Sequence, residues 1–113
     1  MKRDGAYLLD IVESARLALS YVEGIDEEDF LEDRQLQDSV VRRLEIIGEA
    51  AGRLSDEVRA ELAEIPWRSV IGMRNIMIHH YDDVDFTIVW STVQSSLPHL
   101  IAVIEPHLPA ESA

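Results

Sequence analysis

LQDSVVRRLEIIGEAAGRL, residues 36–54, is the stretch whose reading decides the fold. Leu36, Val40, Leu44, Ile47, Ala51 and Leu54 return at steps of three and four, so they share one face of a helix starting near Arg34. Upstream, Leu8, Ile11, Val12, Ala15, Leu19 and Val22 repeat the pattern, and Gly24 ends it. Downstream, Ser55 is placed to cap a short third helix reaching about Leu62, with Asp56 and Glu57 in its first turn. Pro66 suits the first position of a fourth helix running through Val70, Ile71, Met73 and Met77 to about His80. Asp85 can cap a fifth, whose apolar stripe is Phe86, Val89, Val93, Leu97, Leu100 and Ile104. Pro98 should kink that helix, because its ring removes one hydrogen bond and collides with the Gln94 carbonyl. No segment alternates with period two for long enough to form a strand. The expected fold is all-α, an up-and-down bundle of about four to five helices.

Nothing repeats internally and no linker divides the chain, so its 113 residues read as a single domain, 1–113. The acidic run Asp26–Asp33 reads as a solvated turn or short helical lead-in. The last helix carries Ile88, Trp90, Ile101 and Val103 off its main stripe, so it is apolar nearly all round. Such a helix must be covered on several sides, and a chain with few helices achieves this most simply as a homodimer. Phe86–Ile104 also contains 19 residues without Asp, Glu, Lys or Arg, close to a membrane span in length. Thr87, Ser91, Thr92, Gln94, Ser95, Ser96 and His99 are too many polar groups for lipid, which leaves a buried soluble helix. No secretory pattern is visible and there are no cysteines, in keeping with a cytoplasmic protein without disulfides or thiol chemistry.

The net charge of −12 is unevenly placed: −7 over residues 1–41, 0 over 42–81 and −5 over 82–113. Non-specific coating of nucleic acid needs a basic surface, so that class is disfavoured. A local anion site remains open in the neutral middle segment.

That segment holds the chemistry: Arg74-Asn75-Ile76-Met77-Ile78-His79-His80-Tyr81. A guanidinium is permanently charged, planar and able to grip a phosphodiester through two parallel hydrogen bonds. An imidazole titrates near neutrality and can carry a proton. On a continuous α-helix Arg74 and His79 would differ by roughly 140° in direction and about 7.5 Å along the axis, so a shared cleft would call on a second subunit. Spacing alone equally allows a surface ion pair for Arg74 and a helix-capping role for His79. His79, His80, Asp82, Asp83 and Asp85 offer metal-ligand chemistry without a recurring ligand spacing, and no metal or cofactor is expected. Gly48 should permit close helix approach. Glu49 either hydrogen-bonds to the motif helix or lies exposed, and His99 and His107 read as solvated or capping residues. Trp67 and Trp90 read as core or interface aromatics.

With its surroundings, the motif resembles that of the HEPN superfamily, specifically the HepT-like ribonuclease toxins. Arg74-Asn75-x3-His79-x-Tyr81 is preceded by Ile65-Pro66-Trp67 and Gly72-Met73, with Ile46-Ile47-Gly48-Glu49-Ala50-Ala51 upstream and Trp90 downstream. The resemblance covers roughly residues 7–106. It implies a homodimeric, metal-independent endoribonuclease of a toxin–antitoxin system, with Arg74 and His79 as the catalytic pair and Asn75 orienting substrate. It also implies a partner, a minimal nucleotidyltransferase antitoxin that silences the toxin by attaching AMP to Tyr81. The acidity of the chain departs from what an RNA binder would choose. It leaves two other readings open: a non-catalytic helical partner of such a transferase, and a nucleotide-binding module in which Arg74 holds a phosphate without chemistry.

Overall fold

A computed structural model of the chain describes residues 2–75 and 84–108. Among these residues seven α-helices carry the architecture: α1 (Lys2–Tyr21), α2 (Glu27–Leu31), α3 (Arg34–Gly52), α4 (Asp56–Glu61), α5 (Trp67–Gly72), α6 (Phe86–Ser91) and α7 (Leu97–Ile104). No strand occurs among the described residues, and the molecule is an all-helical, HEPN-like bundle. Helix α1 packs on α3 and α7, while α5 and the turn after it pack on the far end of α3. Ile11, Val12, Ala15, Val40, Leu44, Ile47, Ala51, Val93, Leu97 and Ile104 form the fully buried centre.

Local chemistry sets the helix ends. Gly24 has φ 77°, a left-handed conformation that only glycine adopts cheaply, and it closes the turn after α1. The carboxylates of Asp26 and Asp33 accept the backbone N–H of Asp29 at 2.8 Å and Leu36 at 3.0 Å, capping α2 and α3. The Ser55 hydroxyl accepts the Val58 N–H at 3.2 Å at the start of α4. Asp85 caps α6 by accepting the N–H groups of Thr87 and Ile88. The caps expected at Ser55 and Asp85 are therefore present.

Ser55 is itself held from across the chain. Its N–H and hydroxyl both donate to the Asp4 carboxylate, each at 2.9 Å. Asp4 is buried, and the backbone hydrogen bond from Ser55 holds its pKa below the ordinary 3.8, against the opposing pull of desolvation. This ties the first turn of α1 to the N-terminus of α4.

Four features depart from the sequence reading. First, the acidic run takes the helical one of its two expected forms, α2, but it is not simply solvated, because Phe30 within it is completely buried. The Phe30 ring meets Trp90 at 5.4 Å and Phe86 edge-on at 6.3 Å, and the Gln37 amide donates to the Phe30 carbonyl at 3.0 Å. Second, Pro66 is the residue before α5 and not its first helical residue. The indole N–H of the next residue, Trp67, donates to the carbonyl of Arg59 near the end of α4 and to that of Leu62, which also accepts the Ile65 N–H. Third, α5 does not continue as an α-helix through the motif: it ends at Gly72 and tightens into a 3-10 turn, Met73–Asn75.

Fourth, the effect of Pro98 is expressed upstream of the proline. Residues Thr92–Ser96 open into a π-helical segment, where the Leu97 N–H donates to the Thr92 carbonyl five residues back. Pro98 has no N–H to give Gln94, and one wider turn accommodates its ring without breaking the run. The whole run Phe86–His107 is long and apolar enough, by length and composition, to cross a membrane. Its stripe of Val89, Val93, Leu97, Leu100 and Ile104 is nevertheless buried in the protein core, packed against α1 and α2.

Candidate functional site

The motif arginine stands in the 3-10 turn that follows α5 and is packed against the C-terminal half of α3. Gly48 and Gly52 lie four residues apart in α3, on one face of the helix, and the 3-10 turn Met73–Asn75 lies against that face. At Gly48 the approach is backbone to backbone. A Cβ there would stand 2.4 Å from the Arg74 nitrogen and 3.0 Å from the carbonyl oxygens of Val70 and Ile71. No side chain fits in that space, so the close helix approach expected of Gly48 is what the structure has. This contact sets where the backbone of Arg74 begins.

Gly52 meets the other end of the same residue. A Cβ at Gly52 would be 3.0 Å from one terminal guanidinium nitrogen of Arg74 and 4.0 Å from its central carbon. The guanidinium therefore lies over the last turn of α3, the end of the helix dipole that carries partial negative charge. Arg74 is exposed, and among the described residues it forms neither an ion pair nor a hydrogen bond. The surface ion pair that spacing alone allowed is thus not found there. Glu45, one turn before Gly48 in α3, is engaged by Arg42 at 2.9 Å. A solvent-facing, unpaired guanidinium held by geometry rather than by a carboxylate is suited to a phosphate.

Asn75 closes the 3-10 turn beside Arg74 and is half-buried. His79 and Tyr81, like His80, Asp82 and Asp83, lie outside the described residues. The expected angular offset of Arg74 from His79 assumed an uninterrupted α-helix. That assumption fails at Met73, because a 3-10 turn advances about 2.0 Å and 120° per residue.

Glu49 makes no hydrogen bond to the motif turn Met73–Asn75. It is exposed and lines a shallow cleft of about 70 Å³ with Tyr7, Asp10, Ile46, Ala50 and Arg53. His99 and His107 are exposed. Among the described residues no three His, Asp or Glu side chains gather as metal ligands would. The residue that sequence reasoning missed is Gly52. Its signal was legible in Gly48-x3-Gly52, two residues without side chains on one helix face.

Comparison with known proteins bears on the same segment. The profile of the family described as Ribonuclease HepT-like matches residues 11–106. A Methanocaldococcus jannaschii protein that carries a provisional RNase name is 35% identical over 105 residues, covering 92% of this chain and 96% of its own. A Caldanaerobacter subterraneus subsp. tengcongensis protein, also provisionally named an RNase, is 39% identical over 88% of this chain and 89% of its own. A Thermococcus cleftensis protein provisionally named ribonuclease HepT is 42% identical over 83% of this chain and 86% of its own. No solved structure matches. With the family profile spanning nearly the whole bundle and relatives matching end to end, the chain belongs to the HepT-like ribonuclease family.

Proposed function

We propose that the protein is a metal-independent endoribonuclease, the toxin of a toxin–antitoxin pair, and that Arg74 and His79 form its catalytic pair. The observation that carries the reading is the exposed Arg74 guanidinium, lying beside Gly52 at the end of α3 with no carboxylate paired to it among the described residues. In the reaction the ribose 2′-oxygen attacks the adjacent phosphorus while the bond to the 5′-oxygen breaks. The products are a 2′,3′-cyclic phosphate and a free 5′-hydroxyl. His79 takes the 2′-hydroxyl proton or delivers one to the leaving oxygen, and Arg74 stabilises the charge that builds on the phosphoryl oxygens. Asn75, beside Arg74 in the same turn, orients the substrate. A homodimer bringing two motifs together would complete the cleft.

Regulation follows the family resemblance. A minimal nucleotidyltransferase would transfer AMP from ATP to the Tyr81 phenol oxygen, releasing pyrophosphate. The added phosphate would sit within reach of Arg74, occupying it and repelling RNA. The test is cleavage of RNA by the purified protein in EDTA beside Arg74→Ala and His79→Ala. Loss of activity in both variants is expected, and undiminished activity in both would sink the assignment. Intact-mass measurement after co-expression with a minimal nucleotidyltransferase should show AMP-sized additions that vanish in Tyr81→Phe.

The acidity of the chain, −12 overall, favours one competing reading: a non-catalytic partner of the transferase. Intact RNA together with a stable complex would support that reading instead.

A further inference from the structure

Glycine is needed at Gly52 for neither backbone conformation nor helix stability. Among the described residues only Gly24 has a positive φ, so Gly52 sits in an ordinary helical conformation that alanine adopts more readily. Gly72 is a useful control, for a Cβ there would meet nothing within 4 Å. At Gly52 the added atom would meet the terminal nitrogen of Arg74 at 3.0 Å and the Ile71 Cγ2 at an ordinary 3.8 Å. The space left by the missing side chain is therefore the space in which the guanidinium lies.

We infer that Gly52 is a positioning residue for RNA cleavage: its bare Cα seats the Arg74 guanidinium on the C-terminal turn of α3, at the height where it meets the scissile phosphate. The inference rests on Arg74 being catalytic, as proposed above. Gly48 and Gly52 then divide the work. Gly48 fixes the Arg74 backbone, where any Cβ would strike main-chain atoms that cannot move independently. Gly52 fixes the far end of the side chain, which can yield. A methyl group at 52 would be accommodated by a shift of a few tenths of an ångström in the guanidinium, without unfolding anything. A leucine would exclude it from its seat. The carbonyls at the end of α3 help hold the cation there, as helix C-termini favour positive charge.

The test is steady-state cleavage of a labelled single-stranded RNA in EDTA by Gly52→Ala, Gly52→Leu, Arg74→Ala and the double variant Gly52→Leu/Arg74→Ala, with thermal melting of each. Alanine should lower kcat about three- to tenfold, and leucine should lower it towards the Arg74→Ala level, since misplacement near 1 Å can cost about a hundredfold. KM should change little, Tm should hold or rise in Gly52→Ala, and the double variant should be no slower than Arg74→Ala alone. Wild-type kcat in Gly52→Leu overturns the inference. So does an added loss in the double variant, or a fall in kcat that tracks a fall in Tm. Wild-type activity in Arg74→Ala, or no cleavage by the wild-type protein, would instead overturn the ribonuclease reading on which the inference rests.

Discussion

Helices α2 and α5 are both short, and the molecule holds them by opposite means. Helix α2 is anchored by bulk: Phe30 is completely buried and packs its ring against Trp90 and Phe86 of α6. Helix α5 and its 3-10 turn are anchored on α3 partly by the absence of side chains, with Gly48 admitting the main chain of Val70, Ile71 and Arg74. The aromatic contact buries apolar area and serves stability. The glycine contact places a charged residue close to a backbone, and glycine in a helix costs about 1 kcal/mol relative to alanine. A chain that accepts this cost twice on one face, four residues apart, is organised there around position rather than strength.

The comparison can be broken most sharply at its bulky end. Phe30→Ala should destabilise the protein by about 3–5 kcal/mol, through lost transfer energy and the cavity left behind. In thermal melting this is a fall of roughly ten degrees or more. A change of only a degree or two would mean that α2 is not anchored by this ring.

At the glycine end, Gly48→Ala should cost about 1–3 kcal/mol, because a Cβ 2.4 Å from the Arg74 nitrogen forces two backbones apart. Cleavage should fall with it, since the same displacement moves Arg74. A stabilised Gly48→Ala would show that the helices have room to spare and would undo the contrast.

These expectations also mark what local sequence could and could not reveal. The caps at Ser55 and Asp85 and the stop at Gly24 were legible because each depends on a side chain or φ within a few residues. The burial of Phe30 was not, because α6 covers it from 56 positions away, between Phe30 and Phe86. The end of α5 at Gly72 was hidden by Ile71, Met73 and Met77, whose spacing continues an α-helical stripe past the point where the backbone tightens. Arg74 and Asn75 were singled out from the motif, whereas the part played by Gly52 appears only when α3 and the motif turn are brought together.

An effect of similar size, outside the functional site, concerns the Asp4–Ser55 contact, which joins α1 to α4 just after the glycine face ends. Asp4→Ala should cost about 1.5–3 kcal/mol near neutral pH, the usual range for hydrogen bonds to a charged group. The Asp4 pKa is lowered in the folded protein, so this stabilisation is fully present above the unfolded value of 3.8 and is lost as pH falls through the lower folded value. Urea unfolding across that range should show the gap between wild type and variant closing in acid. A gap independent of pH would assign the contribution to packing instead of charge.

In the proposed reaction the planar, two-pronged guanidinium of Arg74, held in its place against α3, acts on the RNA phosphate. Single-turnover cleavage of a labelled RNA in EDTA by Arg74→Lys tests it most directly, because lysine keeps the charge and loses the fork. Arg74 is exposed and has no hydrogen-bond or ion-pair partner among the described residues, so the melting temperature should stay unchanged. The rate should fall at least about tenfold. A wild-type rate in Arg74→Lys, at an unchanged melting temperature, would contradict the account.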